Sequence, residues 1–460
     1  MGLWSFVTQL GLVSVFILGS NVLRRKIPFV RNTLLPTAVL AGFLLLAAKL
    51  LGIVHINLEL MESVTYHCIA IGFIAMSLRI PEQNRSEEER LVGLKSGAVI
   101  ASSYIIQGIT GLAISIILGY TVMPGLFKAC GILLPMGYGQ GPGQANNTGL
   151  TYEALGFAGG RSFGLAIAAM GYVVACVVGV IYINYLVKKG VLRKGSNEDV
   201  HGSVSIDDFQ QNNEVPIAES IDRFSIQATL VITVYLVTFL LTKGLTWFLS
   251  AYVPGLAKLL NSLLWGFNFM IGSGMAILTR VLMGKLKDKG IITRQYQNNY
   301  LMSRISGFAF DLMIVTGIAS IEPEDISGLW LPFVLMAVIG GIITFIHLKY
   351  VCRKVYPGYE NEGFISMFGM MTGTISSGVL LLREIDPKLE TPAANNLVIG
   401  SSFAILLAAP LLLMVSIAPT SDMMTIIVVG ICIVYYLFLL GIINIKGNHR
   451  AKKAKKKKAA

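Results

Sequence analysis

Eleven stretches of this chain are apolar over roughly 17–25 residues, the length that crosses the hydrocarbon core of a bilayer. They lie at about 4–23, 36–53, 63–80, 96–119, 160–187, 225–251, 262–284, 300–320, 328–352, 395–418 and 421–445. In lipid every backbone polar group must be satisfied within the protein, so runs of this kind read as helices. The expected fold class is therefore an all-α integral membrane protein. Composition agrees: 54% of the 460 residues are hydrophobic and 13% are charged, against about a quarter charged in a globular protein. The first run lacks a basic n-region and an A-x-A site, so it reads as a first span. A net charge of +12 does not lead to nucleic acid, because no basic patch interleaves with aromatic residues. Cys68, Cys130, Cys176, Cys352 and Cys432 show no metal-ligand spacing, and most sit in or beside apolar runs as small hydrophobes.

Two further apolar segments, about 124–152 and about 362–382, are broken by glycine and polar residues. The first contains Gly137-Tyr138-Gly139-Gln140-Gly141-Pro142-Gly143-Gln144-Ala145-Asn146-Asn147-Thr148-Gly149. Glycine permits positive φ and close approach to the backbone, and proline removes an N–H. Unwound backbone at membrane depth is tolerated only when buried in protein or lining a wet cavity. Both segments are expected to be re-entrant hairpins. Lys and Arg mark the cytoplasmic side. With the N-terminus outside and eleven crossings, 32 of the 37 Lys and Arg residues fall inside; Lys49, Lys128, Arg161, Lys243 and Lys258 fall outside. The first hairpin then enters from outside and the second from inside, and the C-terminus is cytoplasmic.

Hairpins entering from opposite faces imply two inverted-topology repeats, each of five spans plus a re-entrant hairpin. The first is 1–187 and the second 225–418, joined by a polar cytoplasmic linker at 188–224 and followed by an extra span and basic tail at 419–460. An offset of 230 places Gly42 on Gly272 and Gly139 on Gly369. Inverted repeats place substrate and ion sites near the midplane, where broken segments meet. A lysine-rich tail inside could touch anionic lipid or remain solvated.

Three stretches carry a resemblance: LPTAVLAGFLLLAAKLLG (35–52), GYGQGPGQANNTG (137–149) and FGMMTGTISSG (368–378). Together with the order of elements over roughly residues 1–418, they resemble the glutamate:sodium symporter family. The chain departs from the family pattern at Gln140, where the family has a histidine, and by its final span. The resemblance implies sodium-coupled uptake of an acidic amino acid, with Na⁺ as coupling ion and no cofactor. It also implies a homodimer in the cell (plasma or inner) membrane, whose core domains move against a scaffold.

Candidate substrate-binding residues follow from the first break. Carbonyls at Gly139, Gly141 and Gly143 would be free to face a ligand, and Gln140, Gln144, Asn146, Asn147 and Thr148 add neutral donors and acceptors. Arg161 could bind a carboxylate bidentately, or be an arginine at an extracellular helix end. The second break offers Thr372, Gly373, Thr374, Ser376 and Ser377, whose oxygens suit a hard cation such as Na⁺; small residues there also suit helix packing. Asp311 lies mid-span, where a carboxylate costs about 2.5–3.5 kcal/mol, so it should face a cavity or a partner. It is a candidate coupling-ion ligand or proton site, with a structural pair to Arg304 as the alternative. Glu62, Glu153 and Asp422 read as solvated span ends, and His67 as a satisfied polar contact.

The expected function is secondary active transport: sodium-coupled symport of glutamate or a similar small organic anion into the cell. The alternative is the same fold carrying another carboxylate or amino acid, with proton coupling open beside sodium coupling. An ion channel is a weaker reading, since a filter needs several loops around one axis. An enzyme is not indicated, because no span carries a metal motif, paired carboxylates or a nucleophile–base spacing.

Overall fold

A computed structural model describes residues 4–28, 30, 35–80, 87–192, 223–253, 264–265, 268–291, 294–386 and 391–445. The side chains of residues 87–90 and of Ser376 lie outside it, as do most of the expected linker (193–222) and the basic tail (446–460). The fold is all-helical, with 85% helix and no strand among the described residues. The helices are α1 (Ser5–Lys26), α2 (Thr37–Leu50), α3 (Leu58–Leu78), α4 (Glu87–Tyr120), α5 (Pro142–Glu153), α6 (Gly160–Lys188), α7 (Arg223–Tyr252), α8 (Asn268–Asp288), α9 (Asn299–Ala319), α10 (Trp330–Val355), α11 (Glu360–Thr372), α12 (Ile375–Arg383), α13 (Ala393–Ile417) and α14 (Asp422–Ile443). Ten helices are long and apolar enough to cross a membrane, and α2 is a shorter apolar helix of 14 residues. Each of the eleven apolar runs thus falls on a helix. Local signals start several of them. Asn57, Asn298 and Ser421 accept from the backbone N–H three residues on, capping α3, α9 and α14.

The helices form two compact units, and each unit draws on both halves of the sequence. One holds α1–α3, α5, the first half of α6 and α7–α9. Its neighbours run in the order α1, α2, α9, α3, α8, α7. Exchanging α1 with α7, α2 with α8 and α3 with α9 leaves that order unchanged. Gly42 of α2 lies against Ile318 of α9, and Gly272 of α8 against Ile74 of α3, the same exchange seen in contacts. A core cluster of this unit is Ile74, Ala75, Leu78, Val231, Val234, Ala276 and Met302. Lipid tails are as apolar as these side chains, so packing density and close approach hold the helices together.

The other unit centres on α4, with α13 and α14 lying along it. Gly93 and Gly97 admit Phe403, and Gly400 admits Ser96. A 3₁₀ turn (Lys128–Ile132) crosses α4 where Gly111 and Gly131 meet backbone to backbone. A π-helical turn (Pro135–Gly139) follows. The second half of α6 joins α10 and α11 through an aromatic cluster of Tyr182, Phe345 and Phe364, with ring centroids 5.0–5.1 Å apart.

Candidate functional site

The first broken segment ends in α5. Gly141 has φ 87°, a conformation that favours glycine, and Pro142 occupies the first helical turn where no N–H is needed. Helix α5 packs on α3 and α9 of its unit. Gly143 abuts Ile69 and Met313, and Gly149 abuts the backbone of Gly160 and Arg161. A side chain at either position would have to displace these neighbours. Beside Pro142, Thr65 of α3 and Thr316 of α9 share a 2.8 Å hydrogen bond.

This tight seat buries a strongly polar helix. Gln144, Asn146, Asn147 and Thr148 are no more than 2% exposed. Both amide atoms of Gln144, Oδ1 of Asn146 and Oγ1 of Thr148 have no hydrogen-bond partner among the described residues. Each such atom costs roughly 1–3 kcal/mol in a buried site. Such atoms find their partners in a water, an ion or a ligand. Gln140 is half-buried at the break itself.

Beyond the C-terminal end of α5 lies an ionic cluster. The Arg161 guanidinium, 8% exposed, hydrogen-bonds Glu62 and stands 3.7 Å from Glu322. Lys49 Nζ lies 3.9 Å from Glu322 and donates to the Ile321 carbonyl at 3.1 Å. Ser162 Oγ donates to Asp325 at 2.8 Å. The Arg161 backbone N–H donates to Glu153 at 2.9 Å. Burial pushes the Glu153 carboxyl above its usual range, and Asp325 and Glu322 add to the shift while the Arg161 N–H opposes it. The expectation of solvated span ends is corrected here. Glu62 and Glu153 face Arg161, whereas in the other unit Asp422 is a solvated span end, 60% exposed, that accepts from Lys128 at 2.6 Å. Residues far apart in sequence supply these partners. The Arg161 guanidinium, for which a substrate carboxylate and a helix-end role were both open, has protein carboxylates beside it.

The second broken segment is the pair α11–α12. The two helices fold back on one another where Gly369 meets Gly378. The break is at Gly373, whose φ of −145° and ψ of −108° interrupt the helix. Thr372 Oγ1 donates to the Phe368 carbonyl of its own helix at 2.7 Å. Thr374 Oγ1 and Ser377 Oγ are buried without a partner among the described residues. The Ser376 side chain lies outside the described residues. Carbonyls at a helix C-terminus carry the negative end of the helix dipole, which favours a cation. Gly139, at the end of the π-helical turn in this unit, lies against Tyr104 and Gln107 of α4.

Asp311 lies on the exposed face of α9 with Ser303, Arg304, Gly307 and Phe308. Arg304 sits over the Tyr300 ring at 4.9 Å, and no Asp311–Arg304 ion pair occurs among the described residues. His67 Nδ1 meets Tyr235 OH at 2.6 Å, a satisfied contact. Sequence reading passed over Thr65, Thr316 and Gln107. Polar residues inside apolar runs are the signal that marks them.

A membrane-spanning helical fold with two broken segments and unpartnered polar groups defines a transporter. Residues 3–356 match the family model described as sodium/glutamate symporter, and the chain belongs to that family. No curated protein matches the chain.

Proposed function

We propose that the protein couples a sodium gradient to the uptake of glutamate or a closely similar small organic anion. The observation that carries this reading is the buried polar face of α5, where Gln144, Asn146 and Thr148 hold atoms without partners. Neutral amides and hydroxyls can hold carboxylate and ammonium groups without keeping a fixed charge in the membrane. Gly139, Gln140, Gly141, Gly143 and Asn147 complete the substrate-facing set. The hydroxyls of Thr372, Thr374, Ser376 and Ser377 and the backbone of Gly373 are the proposed cation ligands of one unit, and Asp311 is a separate proposed coupling-ion or proton site in the other. Arg161 orders the outer end of the substrate segment through Glu62 and Glu322.

The topology belongs to the same proposal. Two inverted repeats, 1–187 and 225–418, each carry one re-entrant hairpin, with the N-terminus outside and the C-terminus inside. The exchange-symmetric helix order of the first unit supports paired halves. Ion pairs support the assignment of ends: Lys49, Glu62, Arg161 and Glu322, all placed outside, lie together. A homodimer in the cell membrane is the expected assembly.

The rival is the same fold carrying another carboxylate or amino acid, coupled to protons. It is kept because the family match ends at residue 356, before the second broken segment. Glutamate uptake into proteoliposomes, with and without an inward sodium gradient, tests the choice. Uptake that rises steeply with the sodium gradient supports symport. Equal uptake under both conditions, or uptake driven only by a proton gradient, sinks it. Asp311→Asn should lose most sodium dependence, and a variant that keeps it removes Asp311 from coupling.

A further inference from the structure

Gln107 sits in the middle of α4 and is fully buried. Its Nε2 donates two hydrogen bonds, to the Met371 carbonyl at 2.8 Å and to Thr344 Oγ1 at 3.0 Å. Met371 immediately precedes Thr372 and the break at Gly373. The orientation of the amide is forced. A carbonyl only accepts, so the group facing Met371 must be the NH₂. Thr344 Oγ1 already donates to the Gly340 carbonyl at 2.7 Å, so it too receives a proton from Gln107. The Oε1 atom is thereby turned the other way. It is buried with no hydrogen-bond partner among the described residues, and a methyl group placed on Gly139 would stand 2.9 Å from it. One side chain thus holds the carbonyl end of α11 and presents a bare oxygen beside the first glycine break.

A buried amide oxygen left without a donor is costly. The oxygen itself limits what would satisfy it, since it can only accept a hydrogen bond or meet a cation. Thr374 Oγ1 and Ser377 Oγ, flanking the same break, are also buried without partners. An oxygen that can only accept suits a small cationic group and repels an anion.

We propose that Gln107 is a ligand of the transported cationic group, with Met371 and Thr344 as the anchors that aim its Oε1. The chemistry is that of a small hard cation or of a substrate ammonium. The assignment rests on the symport reading given above and adds a residue of α4 to the site.

Proteoliposome uptake separates the sources. Sodium is titrated at saturating glutamate, then glutamate at saturating sodium, for wild type, Gln107→Leu, Gln107→Glu and Thr344→Val. Thermal midpoints of the purified proteins check folding. Gln107→Leu should raise one half-saturation constant about tenfold or more and leave the other within about two-fold, the scale of one lost hydrogen bond to a charge. A rise on the sodium arm assigns the coupling ion. A rise on the glutamate arm, with glutarate inhibition unchanged, assigns the ammonium. Gln107→Glu sets a carboxylate oxygen against the Met371 carbonyl and loses both anchors, so it should shift the same constant as Gln107→Leu. Thr344→Val removes one anchor and should shift the same constant by a smaller factor. Should Gln107→Leu fail to fold, Gln107→Met is read in the same two arms. Both constants unmoved in a folded Leu or Met variant overturn the assignment. Wild-type protein without sodium-dependent uptake sinks the symport reading instead. The Gln107 assignment is then read from the sodium-induced shift in thermal midpoint, which the Leu variant must lose.

Discussion

On the proposed reading, Thr148 is kept for binding at a cost to the fold. Its hydroxyl is buried and has no partner among the described residues. Thr148→Val keeps the shape and removes the orphan. The unliganded protein is expected to become more stable by about 1 kcal/mol, while the half-saturating glutamate concentration rises about tenfold or more. Thermal unfolding and uptake kinetics on the same preparation check both halves of that prediction. A fall in stability with unchanged uptake would place Thr148 in the packing alone. Gly131 sits at the opposite extreme, with no polar side chain to offer. A Cβ there would meet the backbone of Gly111, and neither chain can yield by rotating a side chain. Gly131→Ala should destabilise by roughly 1–3 kcal/mol, the range for overpacking, and detergent thermal stability would show it.

At the scale of elements, α5 is held at both ends by different physics. Its start depends on Gly141 and on the close seat of Gly143 between Ile69 and Met313. Its far end is tied by Arg161, Glu62 and Glu153. Arg161→Gln leaves Glu62 and Glu322 without their guanidinium. The cost is about 1–3 kcal/mol, below the value for a fully buried pair because the carboxylates are 28% and 35% exposed. If Arg161 acts by holding α5, the variant loses thermal stability and keeps its glutamate half-saturation within about two-fold. A large rise in that constant at unchanged stability would return Arg161 to direct carboxylate binding. The extent of each helix was legible from apolar length, and the breaks from glycine and proline. What each break faces was not legible, because the partners come from helices distant in sequence.

For the whole molecule, the charge distribution makes a test of sidedness possible. The proposed topology places Leu155 outside and Lys189 inside. In a cysteine-free background, Leu155→Cys should react with an impermeant maleimide on intact cells, and Lys189→Cys only after permeabilisation. Labelling of Lys189→Cys on intact cells would overturn the eleven-crossing reading. The number of apolar helices agrees with that reading, and α2 shows its margin: at 14 residues it is the shortest of the eleven. Proteins of this size tolerate one short span by tilting neighbours or thinning the bilayer locally.

Apolar run length, by itself, determined the helical membrane fold and where its long segments lie, and the resemblance of three stretches pointed to the family. Those properties are local, since each helix satisfies its own backbone in lipid whatever its neighbours are. Tertiary structure decided which polar groups are paired. It gave Arg161 to Glu62 and Glu322, and Gln107 to Met371 and Thr344. It left Gln144, Asn146 and Thr148 with atoms unpartnered among the described residues. Burial and pairing are set by packing between distant helices, so no spacing along the chain could have told the residue bound by the protein from the residue left for a ligand.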